Sequence, residues 1–272
     1  MRNIPIVLIT FLFLFSCKKV DQQAPAPKLQ NCAIEYLNFT DDYRFAYNSL
    51  TYPPNDPEET ICSYEYQNEK IVKVTGGFLP LPAGSNFSNL VFSGDVFDSI
   101  VYNGNEISVF KKYTNFQWAN SENPSIYNLD SQNQIQKLTV NNGFDTNFEI
   151  NYTYSNNEIT EKNKNGVTLR KLFMEGNNLV KIVKESIDLQ GKLFRKEEII
   201  FQEYDTNPNP FKNKYHISGA FYRAFSENNY KKTTKLVYTI LVDGTFGLLS
   251  TSSLSIPITY NERGFPLFGT YE

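Results

Sequence analysis

The sequence predicts a mainly β protein, an antiparallel meander of repeated hairpins folded as a curled sheet or open barrel, with at most one short helix. Three observations lead there. Aromatic residues make up 15% of the 272 positions, with 22 Phe and 18 Tyr, and such side chains suit the pleated, half-buried surface of a strand. Turns rich in Asn and Gly recur between short apolar stretches, and these residues tolerate the left-handed backbone that tight hairpins require. The flanks of those turns alternate apolar and polar residues with period two, which lines one face of a sheet.

The recurring unit is a strand containing tyrosine or another apolar residue, a polar turn, and an Ile, Leu or Phe that opens a second strand. In order it reads YEYQNEKIVKV (64–74), IVYNGNEISVF (100–110), YNLDSQNQIQKL (127–138), YTYSNNEITEK (152–162), LFMEGNNLVKIV (172–183) and ITYNERGFPLF (258–268). The opening residues Ile71, Ile107, Ile135, Ile159, Leu179 and Phe265 fall at uneven intervals, whereas a solenoid keeps a fixed period. Stacked hairpins in a meander fit better than a propeller or parallel β-helix. Such a sheet must manage its edges by curling or cover one face with a non-strand segment. The candidate cover lies between Pro208 and Lys235: Pro208 and Pro210 interrupt strand pairing, and HISGAFYRAF (216–225) places apolar residues at 217, 220, 221, 224 and 225. That spacing is helical despite Gly219, and the alternative is an apolar loop packed on the sheet.

At the other end of the chain, Arg2 precedes an apolar run from Ile4 to Phe15 that is shorter than the roughly 20 residues a spanning helix needs. Residues 1–16 therefore read as a signal peptide. Leu14-Phe15-Ser16-Cys17 resembles the lipobox of bacterial lipoproteins, although Phe15 is larger than the usual residue there. The resemblance implies cleavage before Cys17 and acylation of its thiol and amine, so that the membrane is reached through a lipid anchor. Residues 17–30 then form a lipidated cysteine and flexible linker, charged, amide-rich and broken by Pro25 and Pro27. Lys18 replaces the aspartate that resembles an inner-membrane retention signal, which favours the outer membrane. Asp21 alone represents the acidic stretch of surface-exported lipoproteins, leaving the periplasmic face and the cell surface both open.

Residues 31–272 are read as a single β domain. Their remaining cysteines, Cys32 and Cys62, lie in a compartment that tolerates disulfides, and either a disulfide or two separate buried thiols fits the sequence. FQEYDTNPNPFK (201–212), SENN (226–229) and ITYNERGFP (258–266) are similar to segments of a Bacteroidetes lipoprotein family of unknown function with YD-type β-hairpins. Asn261 stands where that family more often has aspartate. The resemblance implies a β architecture and lipoprotein status and supplies no site.

Catalytic and metal motifs are sparse. A net charge of −3 offers no footprint for nucleic acid, and His216 is the sole histidine, which rules out multi-histidine metal sites. GxSxG, HExxH, CxxC and phosphate-loop motifs are absent, and no cofactor is implied. Asp205 to Asn209 imitates the opening of a calcium loop, yet Pro210 and His216 occupy the places of the essential Gly and Glu, so an Asx turn is expected and a metal is not. Asp95 with Asp98, or Glu197 with Glu198, would serve glycoside hydrolysis only if the fold set them across a cleft. Asp98-Ser99-Ile100 resembles the Bacteroidetes O-glycosylation acceptor, with Ser99 the modified residue and an ordinary strand entry the alternative. Tyr113, Phe116 and the single tryptophan, Trp118, crowd among Asn, Gln and Ser in KKYTNFQWANSENPSIY (111–127) and are candidate ligand contacts for a sugar or an apolar protein patch. The alternative for Trp118 is a core plug.

These features favour a non-catalytic binding or structural module of the cell envelope, with a glycan or envelope protein as partner, over a glycan-processing enzyme. Cys17→Ala is expected to move the protein out of the membrane fraction, with an acylated N-terminal cysteine in the wild type by mass spectrometry. Retention of the variant together with an unmodified wild-type Cys17 would remove the lipoprotein reading.

Overall fold

The computed structural model describes residues 31–33, 61–83, 86–115, 122–141, 148–188, 190–217, 219–255, 258–262 and 266–268. The signal peptide, Cys17 and the linker lie outside them, as do Phe116, Trp118 and Phe265. In chain order the strands are β1 (Asn31–Ala33), β2 (Ile61–Gln67), β3 (Lys70–Ala83), β4 (Asn86–Asn103), β5 (Glu106–Tyr113), β6 (Ser125–Leu129), β7 (Ile135–Val140) and β8 (Phe148–Ser155). They continue as β9 (Glu158–Asn163), β10 (Thr168–Glu175), β11 (Asn178–Ile187), β12 (Leu193–Pro208), β13 (Asn228–Ile240), β14 (Phe246–Ser255), β15 (Ile258–Tyr260) and β16 (Pro266–Phe268). The first 14 form one antiparallel meander in which each strand pairs only with its sequence neighbours, and β15 and β16 form a separate hairpin. Among the described residues the sole helical element is one 3-10 turn, Arg223–Phe225, and no helix is long and apolar enough to cross a membrane.

All six quoted hairpins are present, as β2–β3, β4–β5, β6–β7, β8–β9, β10–β11 and β15–β16. Their turns use the expected backbone: Asn68 and Glu69, Gly104, Asn133, Asn156 and Gly176 all have positive φ. In a meander, alternate turns fall at opposite ends of the sheet, so the first five hairpins share one end. A second plan serves two turns at the opposite end and also the cap-end β6–β7 turn, where Asp130 Oδ1 accepts the Gln132 and Gln134 amides and Asn133 has positive φ. In β9–β10 and β11–β12, the Oδ1 of Asn163 or Asp188 accepts the amides two and four residues on, and Gly166 or Gly191 supplies positive φ. This is a three-residue loop closed by a bulge.

Between β12 and β13 the chain makes the predicted cover. Phe211, Tyr215, Ile217, Ala220, Phe221, Tyr222, Ala224 and Phe225 are all buried. The helical spacing gives turns instead of a continuous helix because Gly219 takes a φ of 75°, outside the helical range. The cover spans much of the sheet. His216 meets Tyr102 of β4 at a ring separation of 5.5 Å, Tyr215 packs 5.0 Å from Phe225, and the Arg223 guanidinium lies 3.8 Å from the Tyr230 ring of β13. Nine strand spacings separate β4 from β13, a distance of about 43 Å in a flat sheet. His216 and Arg223 are seven positions apart, too few to bridge that distance, so the sheet curls around the segment.

The inward side chains alternate as the sequence pattern requires: Ile107 and Val109, and Ile150 and Tyr152, are buried with a polar residue between them, while in β11 a register irregularity sets buried Leu179 and Ile182 three apart. The cap fills the hollow they leave. Phe221→Ala, which empties a fully packed position against Tyr152, Tyr215 and Phe225, is expected to lower stability by about 3 to 5 kcal/mol in urea unfolding.

Candidate functional site

The two ends of the curled sheet differ in chemistry. At the cap end, hydroxyls of Tyr102, Tyr154 and Tyr204 each donate to the carbonyl of the residue that opens the second strand of the preceding cap-end hairpin: Ile71 at 2.9 Å, Ile135 at 2.9 Å, and Leu179. Burial pushes all three phenols well above their ordinary pKa, so each remains a donor. Because the single proton of Tyr102 is committed to Ile71, its oxygen accepts from His216 Nε2, 2.9 Å away. His216 is thus a packed residue, edge-on to Tyr102 and Tyr127.

The segments that carry the family resemblance fasten the cap. Asn209 Nδ2 donates to the carbonyls of Arg223 at 2.7 Å and Ser226 at 2.8 Å, while its Oδ1 accepts from the Phe211 amide. Ser226 Oγ accepts the Leu179 amide at 3.1 Å, and Asn178 Oδ1 accepts the amides of Glu227 and Asn228. Asp205 Oδ1 accepts the Asn207 amide at 3.0 Å, the Asx turn expected of the calcium-like segment. Arg223, wholly buried on the face of Tyr230, and Arg170, which donates to the Tyr222 hydroxyl and stands opposite buried Glu161, complete the seal. Composition gave no sign of these buried cations.

At the opposite end the inward face is more polar. Tyr113, the last residue of β5, pairs with Val96, and two residues back Lys111 lies directly opposite Asp98. Asp98 is buried and Tyr113 half-buried. Burial first, then the charge of Asp98, raises the Tyr113 phenol above its ordinary pKa. Phe116 and Trp118 follow three and five residues later in the chain, outside the described residues. Among the described residues this end therefore offers an acid, a base and a phenol side by side.

Neither carboxylate pair raised by the sequence converges. Glu197 and Glu198 are successive residues of β12 and face opposite sides of the sheet, where Glu197 meets Arg195 and Lys235 and Glu198 meets Lys196. Asp95 and Asp98 are three apart in β4 and split in the same way. Among the described residues no group of three or more His, Cys, Asp or Glu is arranged for a metal. Ser99 lies mid-strand on the outer face of β4, opposite Lys73 and Phe110.

No family model matches the chain, and no curated protein matches it. A porin-like protein of Bacteroides uniformis is similar in structure, with a TM-score of 0.42 and 12% identity over 76% of this chain and 79% of that one. A porin-like protein of Bacteroides vulgatus gives a TM-score of 0.37 and 11% identity over 76% of this chain and 85% of that one. Likeness at this level carries no argument about what the chain does.

Cys32 and Cys62 are direct partners across β1 and β2. Opposed residues in an antiparallel pair have Cα atoms about 4.5 to 5.5 Å apart, inside the disulfide range. We infer that the two are joined by a disulfide in an oxidising compartment. Thiol labelling of the unreduced, denatured chain is expected to be negative at both positions, and stoichiometric labelling of both would exclude the bond.

Proposed function

We propose that the chain is an outer-membrane lipoprotein, anchored through acylated Cys17, whose β domain is a non-catalytic binding or structural module for a glycan or an envelope protein. The observation that carries this reading is the contrast between the ends. The cap end is packed solid with aromatic side chains, so the polar end around Asp98, Lys111 and Tyr113 is where a ligand can be met. Tyr113 and the following Phe116 and Trp118 supply flat apolar faces for a sugar ring, and the Asp98–Lys111 pair supplies both signs of charge for its hydroxyls. The split carboxylate pairs weigh against the glycan-processing alternative. Residues 17–30 serve as the stalk between anchor and domain, and the periplasmic face and the cell surface remain alternative settings for it.

Trp118 is the sole tryptophan and stands five residues after Tyr113 in the sequence, so its intrinsic fluorescence is the probe of this proposal. Titration with envelope and dietary polysaccharides is expected to shift or quench its emission, and Tyr113→Ala to weaken that response about tenfold, roughly the worth of one aromatic contact. An emission that ignores every glycan and every envelope extract would remove this end as the binding site.

A further inference from the structure

Exposed large apolar side chains are not scattered over the surface. Phe148 begins β8, Val167 lies in the β9–β10 turn, Phe194 follows the β11–β12 turn, and Val242, Leu248 and Leu249 belong to the β13–β14 hairpin. All sit at or within a few residues of the turns opposite the cap, on four adjacent hairpins. Val242 is fully exposed, and Leu248 and Leu249 are 58% and 64% exposed. Away from the rim the exposed large apolar residues are Val101 at 52%, near the cap-end turn of β4, and Leu254 at 42%, on the far part of edge strand β14.

The polar groups of these tips suit an interface. Asp188 and Asp243 each accept hydrogen bonds within their own turns, from the Gln190 and Lys192 amides and from Thr245, with Asp188 half-buried and Asp243 exposed. Lys164 and Lys192 in neighbouring turns are left exposed. A rim of aliphatic and aromatic tips with outward lysines is the pattern that enters the headgroup region of a bilayer. We propose that this rim docks on the phospholipid surface to which Cys17 tethers the chain.

The tether permits it. The chain joins the domain at Asn31, and the 13 residues from Lys18 to Gln30 reach about 45 Å at full extension. In the first three residues of β2, Ile61 to Ser63, β1 finds its partners, toward the same end as the rim. Apolar tips left in water cost free energy that burial in the acyl boundary recovers. The acyl anchor brings the bilayer close, and the rim then orients the domain. Tyr113 leaves the sheet at this end as well, so docking restricts the ligand to one displayed near the bilayer surface. The inference rests on the lipoprotein reading for its setting, and its test does not use the anchor.

The experiment takes the mature chain from residue 17 with Cys17→Ala, free of leader and acyl groups, and floats it with vesicles of phosphatidylethanolamine and phosphatidylglycerol. It is expected to rise with the vesicles. A Val242→Ser, Leu248→Ser, Leu249→Ser variant is expected to lose at least about tenfold in partitioning, whereas Val101→Ser keeps it, with unchanged thermal midpoints for both. A mature chain that stays in the lipid-free fraction, or a rim variant that floats as well as its parent, overturns the proposal, including the case in which the rim serves another protein. Mass spectrometry of the wild-type N-terminus separately decides the anchor.

Discussion

The structure depends on one side chain amide. A single-layer sheet of 14 strands has a whole apolar face to bury, and the segment between β12 and β13 is the cover that the described residues place on it. Asn209 ties the two ends of that segment together through Arg223 and Ser226, which shapes it into a plug instead of a loose crossover. The curl of the sheet follows, because strands as distant as β4 and β13 must both reach one short cap segment, β4 at His216 and β13 at Arg223. Buried amide and carbonyl groups leave little choice here, since an unpaired one costs about 1 to 3 kcal/mol.

The tyrosine row shows how a local repeat becomes long-range architecture. Tyr102 and Tyr154 stand near the turn of one hairpin and Tyr204 near the start of the cap, and each bonds the backbone of the hairpin before it. Lateral spacing between hairpins is therefore fixed by side chains as well as by the strand ladder. The repeat that is visible in sequence as Tyr, polar turn and aliphatic residue is the trace of this joint.

Much of the fold was legible and for identifiable reasons. Turn residues with positive φ write themselves as Asn and Gly, so the cap-end hairpins could be read directly. The opposite turns, such as Asn163 to Val167 and Asp188 to Lys192, escaped because they lie outside the aromatic unit and draw their Asx bonds from residues that any loop could contain. Apolar spacing from Ile217 to Phe225 identified the cap, while Gly219 decided against a helix. The site was less legible. Asp98, Lys111 and Tyr113 meet through strand register, and a register is not written in any one strand. The buried Arg223 was invisible because its partner ring, Tyr230, is presented by the next strand and its burial depends on the curl.

The position of the cap late in the chain sets an order of assembly. Strands pair with their sequence neighbours, so each hairpin can form as soon as its two strands are available. Their inward faces stay wet until residues beyond 209 arrive, because Phe211 to Phe225 is the material that fills them. Until then more than two thirds of the domain exists as a strip of paired strands with an uncovered greasy side, the kind of species that aggregates or recruits a chaperone. Sealing is a single late event, and the protein's vulnerable interval ends as the last quarter of the domain is delivered.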